Sequence, residues 1–146
     1  VAYEPQNGLS QFSVSDNGAL AFLPISSAFA EDTLTSFDRS GKSQTLRDKL
    51  HVHYSLRLSP DGRRIAMGLR EAGRVSDVWI LDLARGSLAP LTHGPASNFD
   101  PLWTRDGKHI LYVSERPIFD IYAKSADGSG DEELVLATPN DNIPNL

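Results

Sequence analysis

The sequence predicts an all-β chain built from a repeated unit, and three observations carry that expectation. One tight turn recurs with a constant step, a second kind of turn recurs with the same step, and no long window holds a helical apolar period. The first turn stands at Ser15-Asp16-Asn17-Gly18, Ser59-Pro60-Asp61-Gly62 and Thr104-Arg105-Asp106-Gly107, so its glycines are 44 and 45 residues apart. The second stands at Asp38-Arg39-Ser40-Gly41, Asp82-Leu83-Ala84-Arg85-Gly86 and Asp127-Gly128-Ser129-Gly130, with steps of 45 and 44.

Between these landmarks the residues read as strands. Opening strands are expected at Tyr54 to Leu58 and Phe99 to Trp103. The runs after the first turn, Arg64 to Leu69 and His109 to Val113, are apolar and partly β-branched. Asp77 to Leu83 and Asp120 to Lys124 alternate in character, and short closing strands follow at Leu88 to Leu91 and Glu133 to Leu136. Four strands in a period of about 45 residues is the pattern of a β-propeller blade. The expected fold is therefore about three blades of four antiparallel strands, forming a partial ring or a ring completed by dimerisation. The chain reads as one propeller segment over 1–146, with blades at roughly 10–50, 51–95 and 96–138 and the start of a further blade at 139–146.

The turn residues have structural work to do. Pro60 presets φ for the second turn position, Gly62 takes a left-handed φ at low cost, and Asp61 can accept backbone N–H bonds in an Asx-type cap. The same role is expected of Asp16, Gly18, Asp106 and Gly107.

Composition removes several function classes. With 14 basic and 19 acidic residues the formal charge is −5, which disfavours nucleic acid and anionic membrane surfaces as partners. There is no cysteine, hence no disulfide and no thiolate chemistry. The longest apolar stretch, Ala19 to Ile25, is too short for membrane insertion, and no signal peptide is expected in the opening residues.

Candidate chemistry is sparse. His51 and His53 share a strand face and are weak metal candidates, without evident third and fourth ligands. Asp38, Asp77, Asp100, Asp120 and Asp127 could be gathered around a channel in a metal-dependent hydrolase, but capping accounts for repeated turn aspartates more simply. No Gly-x-Ser-x-Gly elbow and no kinase motif occurs, so no catalytic residue, metal or cofactor is assigned. Trp79 and Trp103 are expected in the blade cores, and His93 and His109 in loop or strand-edge positions.

Ser59 to Ala66, Asp77 to Leu83, Leu91-Thr92 and Asp100 to Lys108 together resemble the TolB-like, WD-repeat-like propeller family. The first blade departs from that pattern: its turn lacks the proline, and Thr33 to Asp38 stands where the Asp-Val-Trp strand belongs. The resemblance implies a protein-binding or scaffold module, bacterial, with protein or peptide partners and an extracytoplasmic setting. The same fold occurs as an accessory or sensor domain of peptidases and of bacterial serine/threonine kinases. Phe37 to Lys42 and Ala126 to Gly130 look closest to the kinase-attached group.

Overall fold

The computed structural model describes residues 11–16, 18–23, 32–38, 40–50, 52–70, 74–116 and 118–137. They form twelve strands in three antiparallel sheets of four, each sheet in simple sequence order. The first sheet holds β1 (Gln11–Val14), β2 (Leu20–Leu23), β3 (Asp32–Phe37) and β4 (Ser43–Leu50). The second holds β5 (Val52–Leu58), β6 (Arg64–Arg70), β7 (Ser76–Asp82) and β8 (Ser87–Pro90). The third holds β9 (Asn98–Trp103), β10 (His109–Glu115), β11 (Phe119–Ser125) and β12 (Glu133–Leu136).

This is the expected all-β architecture, and the stacking order makes it a propeller arc. The first strand of each sheet lies beside its counterpart, since β5 packs against both β1 and β9. Those three strands therefore line the inside of the arc, and each later strand lies farther out. The gradient in burial agrees: β6 is buried along nearly its whole length, whereas all four residues of β12 are exposed. The ring is not closed among the described residues. The expected opening of a further blade at 139–146 lies outside them.

Alternation along the strands supplies two cores, one at each junction between sheets. Ala21, Leu34 and Leu50 of the first sheet meet Leu56, Ile65, Met67 and Leu81 of the second. The opposite face of the second sheet offers Ala66 and Val78 to Trp103, Ile110 and Tyr112 of the third. The strand β6 thus sends Ile65 and Met67 one way and Ala66 the other, which explains why it reads as a continuous apolar run.

The inner strands are irregular where they carry polar residues. In β9 the pairing with β10 slips between Leu111 and Val113, and Asp100 has φ +51° there. In β5 the pairing with β6 slips twice, between Val52 and Tyr54 and between Tyr54 and Leu56. A bulge at equivalent places in two blades turns Ser55 and Asp100 toward each other, and the Ser55 hydroxyl donates to Asp100 Oδ1 at 3.0 Å.

Candidate functional site

The first turns are closed units. The Gly62 and Gly107 amides donate to the carbonyls of Ser59 and Thr104, each at 2.8 Å. These glycines sit at φ +69° and +66°, a region where a side chain would be strained. Asp61 Oδ1 accepts from the Ser59 hydroxyl at 2.6 Å and the Arg63 amide at 3.0 Å. Asp106 Oδ1 repeats this with the Thr104 hydroxyl at 2.7 Å and the Lys108 amide at 3.0 Å. The first blade differs by a deletion. Ser15 closes its turn on Ala19 four residues on, against five for Ser59 and Arg64 or Thr104 and His109. Asp16 occupies the place of Pro60 and Arg105, with Gly18 at φ +82° closing the turn. The position equivalent to Asp61 is Asn17, which lies outside the described residues.

The second turns bind their aspartates equally firmly. Asp38 Oδ1 accepts from the Ser40 hydroxyl and from the Ser40 and Lys42 amides at 2.6–3.0 Å. Asp82 Oδ1 takes the Ala84 and Arg85 amides, and its Oδ2 takes the Arg85 guanidinium at 3.0 Å. Asp127 Oδ1 takes the Ser129 amide and the Ser125 hydroxyl, each at 2.8 Å.

Hydrogen bonds to the charged form hold all five carboxyls below the usual range. The Ser40 hydroxyl is the main cause at Asp38, Ser59 at Asp61, the Arg85 amide at Asp82 and Thr104 at Asp106. Ser129 and Ser125 hold Asp127 at about 2. A carboxyl depressed by folding stabilises the folded chain above its ordinary titration range, and that contribution disappears as pH falls through its folded pKa. Urea midpoints are therefore expected to be flat above about pH 5 and to fall between about pH 4 and 2. Asp127→Asn should remove part of that acid slope, and midpoints independent of pH across this window would contradict the cap geometry.

The blade junctions carry the longer-range chemistry. Leu58 N donates to Ser13 Oγ at 2.9 Å, and the Trp103 indole donates to Arg57 O at 2.9 Å, so adjacent inner strands are bonded in turn. Arg64 crosses from the second blade to the third, donating to Gly107 O at 2.8 Å and Ala126 O at 3.2 Å. Its guanidinium carbon stands 4.7 Å from the centre of the Trp103 ring. Farther along, buried Asp77 Oδ1 accepts from the Thr92 hydroxyl at 2.8 Å and the Asn98 amide at 3.2 Å, while Thr92 Oγ1 accepts the Val78 amide at 2.9 Å.

These positions bear on each sequence expectation. Asp38 and Asp127 lie in outer turns, Asp77 and Asp120 are buried near the starts of third strands, and Asp100 lies on an inner strand. No group of three or more His, Cys, Asp or Glu suited to a metal occurs among the described residues. His51 lies outside those residues, and of His53 only the backbone, in β5, is described. His109 is exposed at the start of β10, and exposed His93 borders a shallow cleft of about 160 Å3 floored by Leu69, Asp77 and Thr92. Trp103 is buried, whereas Trp79 is only half-buried and forms a wall of that cleft. No helix among the described residues is long and apolar enough to cross a membrane.

One surface stands apart from these satisfied networks. Ser13 points at the second blade through its bond to Leu58, so its neighbours Phe12 and Val14 point the other way. Cross-strand pairing adds Phe22 opposite Phe12, Leu20 opposite Val14, and Phe37 opposite Leu20. Phe12 is 40% and Val14 58% exposed, and Phe22 and Phe37 meet edge to face at 6.1 Å. The outward face of the first sheet is thus an apolar, aromatic surface of the kind that packs on another blade.

No family model matches the chain. The Tol-Pal system protein TolB of Anaeromyxobacter dehalogenans is 42% identical over 96 residues, 64% of this chain and 21% of that protein. An uncharacterized peptidase of Bacillus subtilis, YuxL, is 29% identical over 83 residues, 52% of this chain and 13% of the peptidase. Among solved structures, TolB from Acinetobacter baumannii superposes with a TM-score of 0.73 at 17% identity, over 89% of this chain and 32% of that one. The fold is that of the TolB-like propellers. The chain spans at most about a third of the length of these three proteins.

Proposed function

We propose that this chain is a non-catalytic propeller segment that binds protein or peptide, acting as an interaction module. The observation that carries the reading is the outward face of the first sheet, where Phe12, Val14 and Phe22 form an apolar surface. Such a face is completed by packing on another sheet. In a longer chain the next blade takes that place, and between separate chains a second copy does so, two three-bladed arcs closing a six-bladed ring. The likeness to TolB, a Tol-Pal system protein, supports an interaction role.

Light scattering after gel filtration is expected to report twice the chain mass, and Val14→Lys is expected to return it to the monomer by placing a charge in the buried contact. A wild-type chain that stays monomeric at high concentration would rule out the ring dimer. A panel of extended peptides showing no saturable binding to the completed propeller would rule out the interaction role itself.

A second reading rests on the peptidase YuxL, which shares 83 aligned residues with this chain. In that reading the propeller is an accessory domain serving a linked peptidase or kinase. A catalytic domain in the flanking reading frame would favour it over the first.

A further inference from the structure

In the third blade one row of polar side chains runs across three strands. Ser114 on β10 is the direct partner of Asn98 on β9 and of Asp120 on β11. Direct partners share a face of a sheet. Two residues along, Tyr112 and Tyr122 use that same face, and Tyr112 packs in the core shared with the second blade. Asn98 and Ser114 are fully buried and Asp120 is 7% exposed. Each carries a buried oxygen with no partner in the protein: Asn98 Oδ1, Ser114 Oγ and Asp120 Oδ1.

The orientation of Asn98 is fixed by its neighbours. Its amide nitrogen donates to Asp77 Oδ1 and to Ala96 O, each at 3.2 Å, so turning the amide over would set an oxygen against two acceptors. Asn98 Oδ1 is therefore an acceptor, and so is Asp120 Oδ1 when ionised. Ser114 has one hydroxyl hydrogen and can serve only one of them. Rotating that hydroxyl still leaves a buried acceptor bare, at a cost of about 1–3 kcal/mol.

We infer that the row Asn98–Ser114–Asp120 is a built site for one ordered water molecule, which donates to Asn98 Oδ1 and Asp120 Oδ1 and accepts from the Ser114 hydroxyl. Three bonds are the usual complement of a buried water. A divalent cation suits the row less well, because it seeks six or more oxygens and more than one carboxylate, and the row supplies one. The second blade supports the assignment by contrast. There Leu69 faces Asp77, and Asp77 is met directly by Thr92 and Asn98. The hydroxyl thus stands at position 114, where Asp120 Oδ1 has no protein donor, and a leucine stands at 69, where Asp77 Oδ1 has two. The water continues the polar chain Thr92–Asp77–Asn98 into the third blade and makes the junction a hydrated one.

A high-resolution crystal structure, together with water-to-amide cross-relaxation in solution, tests this. The expected result is one solvent peak within hydrogen-bond distance of all three oxygens, with a long-lived water signal at the Ser114 amide. That signal should vanish in Ser114→Val and persist in Ser114→Thr, which keeps the hydroxyl. A dry row with Ser114 bonded directly to Asn98 or Asp120 would overturn the proposal. So would a peak at metal–oxygen distances accompanied by calcium-dependent melting. Both measurements on the wild-type chain decide the matter even if Ser114→Val does not fold.

Discussion

Trp103→Ala is expected to cost the folded chain about 3–5 kcal/mol, the range for truncating a buried aromatic side chain. The indole is 8% exposed and packs with Val78, Ile110 and Tyr112 at the second junction. It also ties two inner strands together through Arg57 O and supports the Arg64 guanidinium. Losing it empties a cavity, leaves Arg57 O without that donor, and frees the side chain that holds Gly107 and Ala126. Trp103→Phe keeps most of the ring and loses only the N–H, so about 1–2 kcal/mol is expected. Urea unfolding followed by far-ultraviolet circular dichroism measures both. A loss under about 1 kcal/mol for the alanine variant would mean that this junction does not hold the second and third blades together.

Asp77→Ala is expected to be the next most damaging change, at roughly 2–4 kcal/mol, because it strips the shared acceptor from two buried donors. The Thr92 hydroxyl and the Asn98 amide both converge on Asp77 Oδ1. Asp77→Asn retains an oxygen in that place and should cost about half as much. The pair Asp77 and Asn98 should also be strongly non-additive, since each variant removes the same contact. Additive losses in a double-mutant cycle of Asp77→Ala and Asn98→Ala would show that the contact contributes little.

The fold was legible because propeller blades repeat their own local chemistry. Gly62 and Gly107 mark turns with positive φ, and such positions are nearly reserved for glycine. The first landmark series falls in the hairpins that join the first and second strands of each sheet, and the second series in those that join the third and fourth. Less was readable in the first sheet. β4, Ser43–Leu50, is polar and mostly exposed, so no apolar run announces it. Asp16 stands two residues before Gly18, in the place of Pro60 and Arg105, and not in the capping position one residue before the glycine that Asp61 and Asp106 hold. The junction chemistry was hidden for a different reason. Arg64 sits at a strand start and looks like any surface arginine, while its partners Gly107 and Ala126 are 43 and 62 residues away. Asp77 likewise reads as one more strand-edge acid until Thr92 and Asn98 are brought to it. A repeat reports what each blade does within itself, and the contacts between blades are set by the packing angle, which no single blade encodes.

The three outermost strands differ in a way that matters for handling the protein. β4 carries Arg47, Asp48 and Lys49, and β8 is short and ends at Pro90, both of which discourage a strand from another molecule. β12 is as short as β8 but lacks a proline, and after Glu133 it is wholly apolar: Leu134, Val135 and Leu136 are each about half exposed. An apolar border with one charge at its start is a template for edge-to-edge growth, so precipitation on concentrating the protein should begin there. A lysine at Val135 would act as a gatekeeper, raising the solubility limit without touching either core.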